Sequence, residues 1–228
     1  INKWLAIIAT QVQKRNPINI RPLLGIKKDY NPKGLGLMLH AYAVLQQKQP
    51  SKDYSPQIEL LINLLKELST KGYSGYCWGY NFGWCSPEKY LKPYSPTSVA
   101  TAFIIKGFYE AYKVKPTEEI KSIILSASDF VLCDLAFTEE ESGICYSYST
   151  EKKDICYNAS LLAGEILAIN YAITKNESIK KKCHHIINYV VNKQHSDGHW
   201  AYSKNKSNGN ERTQTDFHQG FVLESISK

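Results

Sequence analysis

A pair of helices that recurs roughly every 60 residues is the feature that most constrains how this chain folds. The first helices of the pairs follow an aromatic or proline-rich connection and begin near Pro32, Pro96, Asn158 and Asp216. Their partners begin near Ser55, Thr117 and Asn176. Repeats of this kind are typical of arrays in which each helical hairpin buries its apolar face against the next one.

The two helices of a repeat differ in how much of their surface is apolar. Segment 158–173 is apolar nearly all round and must be buried on every side, whereas 177–193 is amphipathic and carries Lys180, Lys181 and Lys182 on its polar face. An inner ring of apolar helices inside an outer ring of amphipathic ones is an α/α toroid. An open superhelical array of hairpins is the alternative.

We therefore predict an all-α fold in which residues 1–228 form one domain of repeated helical hairpins, arranged as a partial or complete α/α toroid. The chain holds only about three and a half hairpins. We expect it to be part of a ring, an open ring, or a ring completed by a partner chain or by self-association. The helical patterns at both ends of the sequence suggest a fragment of a longer ring.

Composition excludes several classes of protein. No run of 18 apolar residues occurs, so we expect no integral membrane segment. The formal charge of +7 comes from scattered lysines without a basic docking motif, which argues against nucleic acid and leaves room for an acidic ligand. The six cysteines show no CxxC spacing and predict reduced thiols in a cytoplasmic protein.

Each connection repeats a pattern of glycine, aromatic residue and tyrosine. Its three copies run from Gly75 through Trp78 to Tyr80, from Gly143 through Tyr146 to Tyr148, and from Gly198 through Trp200 to Tyr202. Inner helices of a toroid begin at the rim of the central cavity, so polar and aromatic residues of the connections should converge there. The predicted substrate-binding residues are Trp78, Tyr80, Asn81, Trp84, Tyr146, Tyr148, Asn158, His199 and Trp200. Alternatively, the aromatic residues only wedge successive hairpins apart.

Asp216 and His218 are the candidates for chemistry. Imidazole titrates near neutrality, and a carboxylate beside it would make an acid/base pair. The alternative for Asp216 is a helix N-cap, since it stands where the last helical pattern begins.

Two resemblances to known families can be read from these segments. Gln194-x-x-x-Gly198-x-Trp200 resembles the repeats of terpenoid cyclases and protein prenyltransferase β-subunits, although similar turns occur in six-hairpin carbohydrate enzymes. A longer resemblance is to bacterial toroid proteins associated with polysaccharide biosynthesis. It is carried by the segments Ile18–Gly25, Asn31–Gly34, Trp78–Phe82 with Trp84, Asn158–Leu162, and Phe217-His218 with Gly220–Glu224. That family is expected to read Asp-Asn-Phe-His where this chain has Thr215-Asp216-Phe217-His218, and Thr215 therefore puts a carried-over activity in doubt.

The prenyltransferase resemblance also implies a possible metal site. Asp154, Cys156 and His218 are similar in type and order to the zinc ligands of those β-subunits. Since the same stretch matches the polysaccharide-associated family, where no metal is implied, we predict no cofactor and keep zinc as the alternative.

The longer resemblance implies a carbohydrate-active protein that acts on or binds a saccharide in polysaccharide biosynthesis or modification. An enzyme is favoured, with acid/base chemistry such as that of a lyase, an epimerase or a hydrolase, and its expected ligand is a saccharide or an acidic polysaccharide. An isoprenoid-handling enzyme and a non-catalytic glycan-binding module are the alternatives.

Overall fold

The computed structural model describes residues 2–85, 90–205, 208–214 and 216–228, so Thr215 lies outside the described residues. The helices are α1 (Lys3–Arg15), α2 (Pro32–Lys48), α3 (Ser55–Glu67), α4 (Ser98–Val114), α5 (Glu118–Asp129), α6 (Tyr157–Thr174), α7 (Glu177–Val191) and α8 (His218–Ile226). A π-helical turn, Phe130–Asp134, extends α5. The short strands are β1 (Trp84–Cys85), β2 (Tyr90–Leu91), β3 (Phe137–Glu140), β4 (Gly143–Tyr146), β5 (Ile155–Cys156), β6 (Ser203–Lys204) and β7 (Glu211–Arg212).

Side-chain caps fix where four of the long helices begin. Asn31 and Asn176 each accept a hydrogen bond from the backbone N–H two residues ahead, at the start of α2 and α7. Thr97 and Thr117 accept the N–H three residues ahead and start α4 and α5. Each cap satisfies a backbone donor that the first turn leaves without an intrahelical partner, so the predicted starts hold to within about two residues.

The helices form two layers. In the inner layer α2, α4, α6 and α8 lie side by side, and α3, α5 and α7 pack outside α2, α4 and α6. All residues of α6 from Tyr157 to Leu167 are buried, whereas α7 buries only Ile179, Ile186, Tyr189 and Val190. The prediction that 158–173 lies inside 177–193 is confirmed.

The inner helices approach one another most closely where glycines face each other. A methyl group added at Gly107 of α4 would stand 2.5 Å from the carbonyl oxygen of Gly36, and one added at Gly36 of α2 would stand 2.8 Å from Cα of Ile104. Both contacts are with backbone atoms, which cannot rotate away. The spacing of α2 and α4 therefore depends on the absence of side chains at these two positions.

The connections contain short antiparallel pairings that the sequence analysis did not predict. β3 and β4 form a hairpin in which Phe137 lies opposite Tyr146 and Glu140 lies opposite Gly143. Its two turn residues, Glu141 and Ser142, lack the Asn-Gly or Asp-Gly signature by which such hairpins are recognised. β1 pairs with β2, and β6 lies between β5 and β7.

The two ends of the array carry exposed apolar side chains. They include Leu37 and Met38 on α2, and Leu223 on α8. Of the described helices, none has the length and apolar character needed to cross a membrane. All six cysteines are free thiols.

We expect Gly107→Ala to destabilise the protein by about 1–3 kcal/mol, because the added methyl group forces α4 away from α2. Urea denaturation measures the change. Gly220→Ala in α8 is the matched control, since a methyl group there meets no atom within 4 Å. It should be neutral, or stabilising by up to ~1 kcal/mol through helix propensity. Equal effects of the two substitutions would contradict the close approach.

Candidate functional site

A cleft of about 260 Å³ opens where the N-terminal ends of the four inner helices meet. Each helix contributes a residue from its first turns: Lys33 from α2, Val99 from α4, Asn158 from α6 and His218 from α8. The other described residues that line it are Tyr80, Trp84, Phe103, Tyr148, Leu162, Tyr202, Arg212, Gln214, Phe217 and Phe221. The structure thus brings together five of the predicted site residues, namely Tyr80, Trp84, Tyr148, Asn158 and His218.

Asp216 and His218 form a hydrogen-bonded pair at this cleft. One carboxylate oxygen of Asp216 lies 2.5 Å from Nδ1 of His218 and also accepts the backbone N–H of His218 at 2.9 Å. The Asp216 carboxylate therefore accepts the first backbone N–H of α8 and also contacts the imidazole of His218. Because an ionised carboxylate only accepts hydrogen bonds, Nδ1 of His218 is the donor in this contact, and in the neutral imidazole Nε2 is the nitrogen that can accept a hydrogen bond.

Neighbouring residues keep Asp216 ionised and hold the pair in position. Partial desolvation opposes ionisation of Asp216, but the His218 N–H, the Gln214 amide and the imidazole outweigh it and lower the pKa of Asp216 to about 2. Gln219 holds α8 against the preceding connection, since its amide exchanges two hydrogen bonds with the backbone of Trp200, at 3.0 and 2.7 Å. The rings of Tyr202 and His218 are nearly perpendicular, with their centroids 4.8 Å apart.

Aromatic rings form the opposite part of the lining. Trp84 stacks on Tyr148 with centroids 5.9 Å apart and an angle of 16° between the rings. The hydroxyls of Tyr80 and Tyr148 are hydrogen-bonded, and burial raises the pKa of both phenols. Burial likewise raises the pKa of Tyr202. The cleft therefore presents flat apolar faces together with neutral hydroxyl groups.

Sequence reasoning missed two cations in the lining. Lys33 is half-buried, and its Nζ lies 4.2 Å from the centre of the Phe103 ring. Burial, and then the nearby charge of Lys106, lower the pKa of Lys33. Arg212 of β7 lies over the Tyr202 ring at 5.4 Å. No sequence spacing links Lys33 to the Asp216 segment, and only the side-by-side packing of the inner helices brings them to one cleft.

Three of the predicted stacking residues lie away from the cleft. Trp78, Tyr146 and Trp200 are at most 4% exposed and are absent from the cleft lining. The indole N–H of Trp78 donates to the carbonyl of Leu65 near the end of α3, and that of Trp200 donates to Val190 near the end of α7. These rings pack between hairpins, which is the alternative to substrate binding that the sequence analysis gave for the aromatic residues.

The repeated pattern itself separates core from cleft. In each copy the middle aromatic residue is in the core, whereas the tyrosine two positions later, Tyr80, Tyr148 or Tyr202, lines the cleft. Tyr202, which sequence reasoning missed as a cleft residue, could have been found because it occupies the same position of the pattern as Tyr80 and Tyr148.

His199 and Asn81, which were also predicted to bind substrate, lie away from the cleft as well. His199 lies on an exposed turn, where it contacts Asp197 at 2.5 Å and stacks on His195 with ring centroids 4.2 Å apart. The Asn81 side chain hydrogen-bonds with Asp29. Neither residue belongs to the described lining of the cleft.

The three residues of the zinc alternative have other interactions. Asp154 accepts the backbone N–H of Tyr148, the thiol of Cys156 donates to the side-chain oxygen of Asn158, and His218 contacts Asp216. In the described part of the chain, no three His, Cys, Asp or Glu side chains are grouped so that they could hold a metal ion. The zinc hypothesis gains no support.

Comparisons with solved structures identify the fold. The chain is similar to a glycoside hydrolase family 76 protein (mannosidase) from Bacteroides thetaiotaomicron, with a TM-score of 0.65 at 9% identity over 86% of this chain and 54% of that one. It is equally similar to a family 76 α-mannanase from the same organism, with a TM-score of 0.65 at 15% identity over 97% and 62% of the two chains. Both are α/α toroids, so the predicted toroid of helical hairpins is confirmed.

Because these similarities cover only part of the neighbouring proteins at low identity, they show the fold of this chain and not its activity. The chain spans a little over half of each neighbour's length. No protein-family model and no curated protein matches the sequence. The resemblance to polysaccharide-biosynthesis proteins stays a prediction.

The pKa of Asp216 is directly testable. We expect a ¹³C NMR titration to place it near 2, below the ordinary value of 3.8, and Gln214→Ala to raise it because a hydrogen bond to the carboxylate is lost. A depressed folded-state pKa stabilises the fold at pH values above about 4, and this contribution disappears as the pH falls toward 2. Asp197, whose pKa the His199 ring and N–H lower, is the internal control and should not respond to Gln214→Ala. An unchanged pKa of Asp216 in the variant would contradict the described contacts.

Proposed function

We propose that this protein is a carbohydrate-active α/α-toroid protein that binds a saccharide in the cleft and transfers a proton on it. The observation that carries the proposal is the Asp216–His218 pair, which lies at a cleft walled by aromatic rings and tyrosine hydroxyls. Aromatic faces stack on the apolar faces of sugar rings, and neutral hydroxyls can donate and accept hydrogen bonds with sugar hydroxyls. The toroid neighbours are described as a mannosidase and a mannanase, which supports a saccharide ligand.

The pair suits general-base catalysis. Asp216 holds the proton on Nδ1 of His218, so Nε2 can accept a proton from a carbon or a hydroxyl group of a bound sugar. The charge that develops on the imidazole then faces the ionised carboxylate 2.5 Å away. Burial keeps Tyr80 and Tyr148 protonated, so either phenol can donate a hydrogen bond or a proton to an oxygen of the sugar.

Among the reactions considered, the cleft fits an epimerase or a lyase better than a hydrolase. Most glycoside hydrolases place two carboxyl groups on either side of the bond that is cleaved. None of the described lining residues is an Asp or a Glu, and Asp216 lies behind His218. A role in polysaccharide biosynthesis or modification, in the cytoplasm, is the setting we propose, and self-association or a partner chain that completes the ring belongs to the same proposal.

Of the two alternatives, isoprenoid chemistry is not favoured, because no described observation supports its metal site. A non-catalytic glycan-binding module uses the same aromatic lining and differs only in that no product forms. Conversion of the sugar is therefore the property that separates the two functions.

The test compares two Asp-x-His pairs that have the same local geometry. Purified protein is incubated with a panel of neutral and acidic oligosaccharides, and products are followed by NMR and mass spectrometry. We expect His218→Gln to lower turnover by about 10²- to 10⁴-fold, since a general base is removed, while binding is largely kept. His199→Gln is the matched control, because His199 contacts Asp197 at the same 2.5 Å but lies outside the cleft, and it should retain full activity.

Three other outcomes argue against this proposal. Saccharide binding without any product would support the glycan-binding module. Equal losses in the two variants, or full activity of His218→Gln, would remove His218 from the mechanism.

A further inference from the structure

The cations on the inner face of the toroid are not all neutralised in the same way. Lys106 of α4 is almost buried and pairs with Glu165 at 2.8 Å and with Glu224 at 3.7 Å. Lys228 pairs with the same two carboxylates, at 3.1 and 2.5 Å. Desolvated charges ordinarily require such partners, because burial costs them their hydration.

Lys33 departs from this rule. Its ammonium group lies over the Phe103 ring in the cleft, and within the described residues it has no carboxylate partner. Burial and the charge of Lys106 both disfavour its protonated form. Lys33 also occupies the first turn of α2, where the helix dipole is positive and repels a cation. Three separate effects therefore disfavour an unpaired positive charge at this position.

The other described residues of the lining add no negative charge to balance it. Arg212 is a second cation of the described lining, and Asp216 is already engaged by the Gln214 amide and by His218. A neutral sugar in the cleft would further dehydrate Lys33 without neutralising it. An anionic group would remove all three unfavourable effects at once.

Building on the proposed function, we propose that the cleft selects a saccharide with an anionic substituent, and that Lys33 is the residue that pairs with it. The substituent is a carboxylate, as in a hexuronate, or a phosphate ester. Phe103 holds the ammonium group at the cleft through a cation–π contact, and the aromatic lining stacks on the sugar.

Calorimetric titration with four probes tests this selection: trigalacturonate, the neutral mannotriose, glucose 1-phosphate and inorganic phosphate. We expect wild-type protein to prefer an anionic sugar to mannotriose, and the preference to fall as sodium chloride is added. Lys33→Met, which keeps the length of the side chain, should weaken binding of that anionic sugar roughly 10- to 100-fold, since a charge-assisted hydrogen bond is lost. Lys33→Arg should restore most of it. Preference for trigalacturonate identifies the carboxylate, and preference for glucose 1-phosphate over inorganic phosphate identifies the phosphate ester.

Lys71→Met is the matched control. Lys71 also lies over an aromatic ring, that of Tyr76 at 5.5 Å, but outside the cleft lining, so its removal should leave all affinities unchanged. Circular dichroism establishes that each variant is folded. Mannotriose binding equal to that of the anionic sugars, with no effect of Lys33→Met, would overturn this inference and leave the proposed function intact. Absence of binding by every sugar would overturn the proposed function as well.

Discussion

The burial of residues 157–167 of α6 on every side is the constraint on which the rest of this structure depends. A helix that is apolar all round has to be enclosed, and α6 is enclosed by α4 and α8 beside it and by α7 outside it. Its one buried acid, Glu165, is tolerated because Lys106, Lys228 and Ser225 surround its two carboxylate oxygens. This network also ties α4, α6 and α8 together on the inner face.

Enclosing α6 in this way brings the first turns of the inner helices together, and the cleft is a consequence. The aromatic connections have to cross over these helix ends. In each connection the middle aromatic residue packs between hairpins and the tyrosine two positions later lines the cleft. Core packing and the tyrosine wall of the cleft therefore come from a single repeated pattern.

The spacing of apolar residues made the helices and their layers predictable. The α6 segment is apolar all round, which indicates burial, and the α7 segment has one polar face, which indicates exposure of that face. The hairpin of β3 and β4 was not predictable, because Glu141 and Ser142 give no turn signal. For the site, Asp216 and His218 could be selected from residue type and position. Lys33 could not, because its importance depends on tertiary packing against Phe103 and on the lack of a described partner.

The two Asp-x-His pairs show how far local sequence can indicate function. Asp197 with His199 and Asp216 with His218 have the same spacing and the same contact between carboxylate and Nδ1. One pair lies on an exposed turn and the other at the start of an inner helix. Only the position in the toroid gives the second pair access to a cleft that can hold a ligand.

Ligand should bind at the cleft rather than at the buried middle aromatic residues of the repeated pattern, and the four tryptophans allow a direct measurement. ¹⁵N labelling of tryptophan gives separate indole signals for Trp4, Trp78, Trp84 and Trp200, which can be assigned by single substitution. Hexuronate, mannose and phosphorylated saccharides are then added to separate samples of the labelled protein. A saccharide that binds should shift the signal of Trp84, since that ring lines the cleft. The signals of Trp78 and Trp200 in the core and of Trp4 on α1 should stay in place. Shifts of Trp78 or Trp200 without a shift of Trp84, or no shift with any saccharide, would contradict the account.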